Sequence, residues 1–219
     1  MPQRLKLVIF DLDGTLVNAY PAIVESFNFT MEKMRCPKQK NIVIKRAVGW
    51  GDKNLISPFV PKDSLNKALA VYRRHHQKSL KGKTRFLPGA KNLLLNLKKK
   101  NCLLAIASNR PRKFSHIILE YLKIKRYFDC ILCGDEVKKP KPHPGLLLKI
   151  LKKLSVNAKD AVYVGDMTVD VVAGRRAGLA TIALTTGSST RKELSRCRPY
   201  AISRHLRAVD AILRSYNAE

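Results

Sequence analysis

Asp11-Leu-Asp-Gly-Thr-Leu16 sets two carboxylates two residues apart and follows them with a glycine and a hydroxyl. Three more polar clusters lie downstream: Ser108-Asn109, the run Lys138-Lys-Pro-Lys-Pro142, and Gly165-Asp166-x-x-x-Asp170. Three or four carboxylates gathered in one place cannot all stay charged without compensation. A hard divalent cation supplies it, and carboxylate and carbonyl oxygens with open water positions suit Mg2+. A lysine and a hydroxyl aimed at the same point suit a transferring phosphoryl group, whose oxygens need cationic and hydrogen-bonding partners. These residue types therefore imply metal-assisted phosphoryl transfer. Taken alone, Asp11-x-Asp13-Gly14 reads equally well as a turn, where Asp is favoured for local reasons. The other clusters decide between the two.

Such clusters act together only if strands end together. Apolar, β-leaning runs recur at 5–10, 103–107, 130–133, 161–164 and 181–184. Helical periodicity falls between and after them, at 90–100, 112–122, 144–154, 168–177 and 204–216. Strands alternating with helices imply right-handed βαβ units and a parallel sheet. The expected fold is α/β, with a Rossmann-like core of five or six parallel strands flanked by helices. Each polar cluster follows a strand, and ligands bind at the carboxyl ends of strands in open α/β sheets. Residues 17–85 break the rhythm with helical patterns at 21–34, 41–48 and 65–80 and no convincing strand. They read as a helical domain inserted after the first strand, with crossings at 17–20 and 82–89. The core is then 1–16 and 86–219. Inserts at this end of a sheet commonly exclude water from the site.

The charge balance is unusual: 43 Lys and Arg against 16 Asp and Glu, a net +27 in 219 residues. Residues 33–119 hold Asp52 and Asp63 as their only acids among more than twenty cations. Such a field draws small phosphorylated substrates and raises anion on-rates by ~10 to 10³ in a suitable cleft. It equally suits association with nucleic acid, or follows from general charge usage. No base-stacking pattern accompanies it. No apolar stretch approaches the ~20 residues of a membrane span, and the start of the chain reads as a strand rather than a signal peptide. The expectation is a soluble, cytoplasmic protein. Five scattered cysteines argue against a disulfide framework. Cys130 and Cys133 lie three apart on an expected strand and face opposite sides, so they read as ordinary cysteines rather than metal ligands.

The four clusters, in this order and spacing, resemble the haloacid dehalogenase-like hydrolase superfamily, in particular its phosphoglycolate phosphatase-like branch with a helical C1-type cap. The resemblance spans nearly the whole chain and implies roles. Asp11 would be the nucleophile that forms an aspartyl-phosphate. Asp13 would be general acid, then general base, and would offer its backbone carbonyl to Mg2+. Asp11 and Asp166 would ligate the metal directly, and Asp170 would bind the metal or its water. Thr15, Ser108 and the Asn109 amide would hold phosphate oxygens, with a lysine of the third cluster. Lys139 and Lys141 both fit the family's Lys-Pro-x-Pro; Lys141 gives the following helix its usual offset. Members that cleave carbon–halogen bonds lack the second aspartate, so Asp13 implies a phosphatase of small monoesters, phosphoglycolate-like or sugar phosphates. A phosphosugar mutase of the same superfamily keeps Asp13 as well, and a polynucleotide-end phosphatase would suit the basic surface.

Within 17–85, Gly49-Trp50-Gly51-Asp52 falls where related caps carry a substrate-specificity segment. Trp50, with Gly49, either closes over the substrate's leaving group or anchors the small domain's core. Arg46 and Lys53 flank it as candidate anion contacts. His75 and His76 are adjacent on an expected helix and diverge by about 100°, so they read as solvated residues rather than a chelating pair.

Overall fold

In the computed structural model, which describes residues 5–218, the apolar runs pair side by side in one parallel sheet. Its strands are β1 (Leu7–Phe10), β2 (Leu103–Ser108), β3 (Cys130–Cys133), β4 (Ala161–Gly165), β5 (Ala180–Leu184) and β6 (Ala201–Ser203). The spatial order is β3-β2-β1-β4-β5-β6. The chain builds outward from β1 on one side, returns, and builds outward on the other, which opens a crevice at the carboxyl ends near β1 and β4. Register ties the site-bearing ends together: Phe10 sits between Ile106 and Val164. The first residues past the central strands are therefore neighbours. The sixth strand is only three residues long and pairs at the edge with Ile182–Leu184, too short to stand out by pattern.

Residues 17–85 make four α-helices, α1 (Tyr20–Lys33), α2 (Asn41–Ala47), α3 (Asp52–Ile56) and α4 (Leu65–Lys83). They enclose a core of their own, in which Ile23, Phe27, Ile44, Ile56 and Leu69 are buried and Phe27 meets Phe59 edge-on at 5.1 Å. The expectation of no strand in 17–85 needs correction. Val17–Asn18 pairs antiparallel with Arg85–Phe86, so the two crossings into the helical insertion are themselves hydrogen-bonded. Two residues each give no periodicity to read.

The sheet faces are covered by α5 (Ala90–Lys99), α6 (Arg112–Tyr121), α7 (Gly145–Leu154), α8 (Thr168–Arg176), α9 (Arg191–Arg196) and α10 (Leu206–Ala218). Alternation along β1 divides its side chains between the two faces. Val8 and Phe10 join Leu94, Ile118 and Leu213, whereas Leu7 and Ile9 join Leu147 and Ile150. All four β1 residues are fully buried. Cys130 and Cys133 are free, and no helix among the described residues is long and apolar enough to cross a membrane.

Because the insertion has a separate core, truncating its central aromatic removes contacts that the sheet cannot replace. Phe27→Ala is expected to destabilise the protein by about 3 to 5 kcal/mol, read as a lower urea midpoint.

Candidate active site

Each polar cluster follows a strand because turn and cap residues begin where the apolar run ends. Asp11 directly follows β1, its amide donating to Val164 O at 2.9 Å. Ser108 ends β2, Asp166 follows β4, and Asp170 lies in the first turn of α8. These loops and the insertion enclose a cavity of about 60 Å³ lined by Asp11, Asp13, Gly49, Ser108, Asn109, Arg110, Lys141 and Asp170 on its polar side. Ile23, Val48, Leu55, Tyr72 and Phe114 form apolar walls.

Lys141 stands at the centre. Its Nζ donates to Asp11 Oδ1 (2.8 Å), Asp170 Oδ1 (2.7 Å) and Ala107 O (2.8 Å), and lies 2.8 Å from the Tyr163 hydroxyl. That hydroxyl donates in turn to Asp170 Oδ1 at 2.7 Å. Burial alone would depress the Lys141 ammonium, yet Asp11 and Asp170 hold it above the ordinary lysine range. Lys139 is exposed, so the geometry separates the two lysines that spacing left open.

The Asp11 carboxyl is pushed up to about 7, chiefly by burial, with Lys141 opposing and Asp170 adding. Asp166 is raised as well, again by burial first and by Asp11 and Asp170 after it. Its Oδ1 accepts from the Thr15 hydroxyl at 2.7 Å, while its buried Oδ2 has no partner. Oxygens of Asp11, Asp166 and Asp170 lie within 4.8 Å of one another. With Asp13, four carboxylates face two cations, Lys141 and Arg110. Fully ionised, the set would carry two uncompensated negative charges, which one divalent cation would neutralise. Without it, burial and mutual repulsion raise Asp11 and Asp166 toward protonation. The orphaned Asp166 Oδ2 is the cation's natural ligand. Space around that oxygen exists because residues 14 and 187 are glycines; a Cβ at either would lie 2.5 Å or 1.5 Å from it.

Several expectations require correction. Thr15 is fully buried, and its hydroxyl is spent on Asp166 rather than offered to a phosphate. Asp170 accepts from Lys141, Tyr163 and the amides of Asp166 and Met167. Asp170 thereby orients Lys141, and its carboxylate stands with those of Asp11 and Asp166 in the group that could hold a metal. Asn109 does more than offer its amide: its side chain bonds Gly49 O and the Lys141 backbone in both directions at 2.8–2.9 Å. Gly49 reaches the cavity, and at φ 109° with Met167 Sδ 2.0 Å from any Cβ, only glycine fits. Trp50 is 44% exposed and does not anchor the core; it lines an adjoining groove that shares Asn109, Pro111 and Phe114 with the cavity. Arg46 is paired with Glu193 and Ser188 O instead of facing the cavity.

Two further residues belong to the site: Arg110, which no motif marks, and His76, expected to be solvated but buried. Arg110 is buried, and its Nε and one terminal nitrogen grip the two Asp13 oxygens at 2.6 and 2.9 Å. Its other terminal nitrogen meets His76 Nε2 at 2.7 Å. His76 is fully buried, not solvated, and its ring stacks on Tyr72 and meets Phe114 edge-on. Burial and the neighbouring Arg110 push its pKa down to about 2. Only Arg110's place after Ser108-Asn109 could have flagged it. His75 stacks on Phe29 beside Lys33, Lys67, Arg74 and Lys78, in a separate basic groove on the outer side of α1 and α4.

The chain matches the family model described as "Haloacid dehalogenase-like hydrolase" over residues 8–184. It is 31% identical to the phosphoglycolate phosphatase of Colwellia psychrerythraea, across 90% of this chain and 92% of that protein. With phosphoglycolate phosphatase 1 of Pseudomonas aeruginosa the identity is 28%, across 92% of this chain and 77% of that protein. A solved structure described as "a predicted phosphoglycolate phosphatase" from Haemophilus somnus superposes with a TM-score of 0.90 at 26% identity, covering 97% of this chain and 99% of that one.

A buried carboxyl raised to about 7 adds nothing unfavourable while protonated. Its contribution to stability is fully present below the unfolded value and is lost as pH rises through about 7. Metal-free Asp11→Asn is therefore expected to melt above the metal-free wild type at pH 8, with the gap closing by pH 4. Calorimetry in chelator reads both.

Proposed function

The chain belongs to the haloacid dehalogenase-like hydrolases, as an enzyme acting on phosphoric monoesters, and from that footing we propose that it is a Mg2+-dependent phosphatase of small, phosphoglycolate-like monoesters. The observation that carries this reading is Asp13 beside Asp11 in one small cavity of about 60 Å³. A nucleophilic carboxylate needs a second acid only if the leaving oxygen must be protonated. By the same measure a cavity of this size holds on the order of four waters, which suits a phosphoryl group on a short leaving group. A phosphosugar or a polynucleotide end would need a larger site, and no observation favours the mutase or nucleic-acid reading over this one.

In this mechanism Lys141 takes Asp11 Oδ1, which leaves Oδ2 for attack on phosphorus. The P–O bond to the leaving group breaks as the Asp11–phosphorus bond forms, and Asp13 gives its proton to the departing alkoxide. Asp13 then takes a proton from water as that water attacks the phosphoryl-aspartate, releasing phosphate and restoring Asp11. Ser108 Oγ accepts the Arg110 amide at 3.3 Å and keeps its own proton free for a phosphoryl oxygen. Asp11, Asp166 and the Asp13 carbonyl would hold the Mg2+, which when bound supplies charge neutralisation for the phosphoryl oxygens. The apolar walls keep bulk water out. Five unpaired cysteines fit a reducing, cytoplasmic setting.

A phosphomonoester panel with Mg2+ is expected to give strongest turnover on short substrates such as phosphoglycolate. Asp11→Asn should lower kcat by at least ~10⁴-fold; substantial turnover by purified Asp11→Asn would refute the nucleophile. Gly187→Ala, whose Cβ would meet Asp166 Oδ2, should weaken Mg2+ binding in titration calorimetry.

A further inference from the structure

A single chain of hydrogen bonds runs from the reacting edge of the sheet into the helical insertion. Arg110 has only donors, so His76 Nε2 must present a lone pair to it. The imidazole proton therefore sits on Nδ1 and points to Ser26 Oγ at 3.1 Å. Ser26 in turn donates to Ala22 O at 2.7 Å. Ser26 Oγ also lies 3.1 Å from His75 Nδ1, but the step Asp13–Arg110–His76 is fixed in direction and requires a neutral His76. The depressed pKa of this histidine agrees with that. Asp13 and Arg110 belong to the core, whereas Ser26 is on α1 and His76 on α4.

Arg110 uses one N–H on each Asp13 oxygen, which leaves a lone pair on each for a travelling proton. The fork fixes the plane of the carboxylate without consuming it. The fork itself is fixed by His76, whose ring is held by Tyr72 at 4.9 Å and Phe114 at 5.2 Å. Without that acceptor a buried guanidinium N–H would lack a partner, and Arg110 would turn to find one.

We propose that His76 is a positioning residue for the reaction: borne on the insertion, it orients the Asp13 carboxylate through Arg110 when the insertion is docked on the core. The idea rests on the phosphatase reading above. Its consequence is that the proton donor is aligned only when the insertion sits against the core. Lysine could not substitute for Arg110, because one ammonium cannot span a carboxylate and an imidazole in one fixed plane.

The test compares two small phosphoryl donors, phosphoglycolate and acetyl phosphate, by kcat/KM. Phosphoglycolate expels an alkoxide that needs the Asp13 proton; acetyl phosphate expels acetate, which does not. His76→Phe keeps the ring packing and removes both hydrogen bonds. It is expected to lower kcat/KM for phosphoglycolate by about 10 to 100-fold, part of the 10²–10⁴ typical of general acid–base catalysis. For acetyl phosphate the loss should stay within about threefold, since acid catalysis is not at stake there. His76→Gln, which can accept from Arg110, should recover most of the loss. If His76→Phe does not fold, Arg110→Lys carries the same expectation. Equal losses on both donors, or no loss, in a wild-type background active on both would overturn the positioning role alone. A wild type inactive on both would overturn the phosphatase reading and this role with it.

Discussion

The buried ammonium of Lys141 is the interaction on which the site depends. An ammonium this deep is expensive to desolvate, and losing one partner of a buried pair costs about 3 to 5 kcal/mol. Here the cost is met by Asp11, Asp170 and Ala107 O, with the Tyr163 hydroxyl at the same distance. These acceptors come from β1, α8, β2 and β4. One charge therefore ties together the ends of the three central strands and the start of the helix after β4. Asp170, which accepts from four donors, is part of this scaffold.

Around the lysine the crowding is achieved by removing side chains. Asp166 can approach the first loop only because residues 14 and 187 lack a Cβ. Gly165 likewise gives room to Asp170, whose Cβ would lie 2.4 Å from any added methyl. The outcome is a pocket with four carboxyls against two cations in a protein of net +27. The two signs serve different distances. A positive surface draws anions from solution, while the local negative excess favours a divalent cation at the reacting centre.

The insertion completes the pocket instead of merely covering it. Asn109 reaches Gly49 O, Arg110 reaches His76, and Arg46 reaches Glu193. The last pair is exposed, and such surface pairs are individually worth about 0 to 1 kcal/mol. The buried contacts matter more, because an unmatched donor there has no water to turn to. Their partners are the same residues that face the cavity.

Much of this was legible in the chain because strands, helices and turns are local. Four apolar runs with acids, a hydroxyl or a lysine at their ends implied a parallel sheet with those groups converging, and the sheet has that form. The two-residue ribbon, the three-residue β6 and the short α3 and α9 were not legible, since such lengths carry no period. Residue types and spacing determined the fold class and the phosphoryl chemistry they imply. Tertiary structure alone decided that Lys141 and not Lys139 is buried at the centre, that Thr15 serves Asp166, that Trp50 faces solvent, and that His76 meets Arg110 across the domain boundary. Each of these depends on groups far apart in sequence, and the side chain's partner, more than its type, sets what it does.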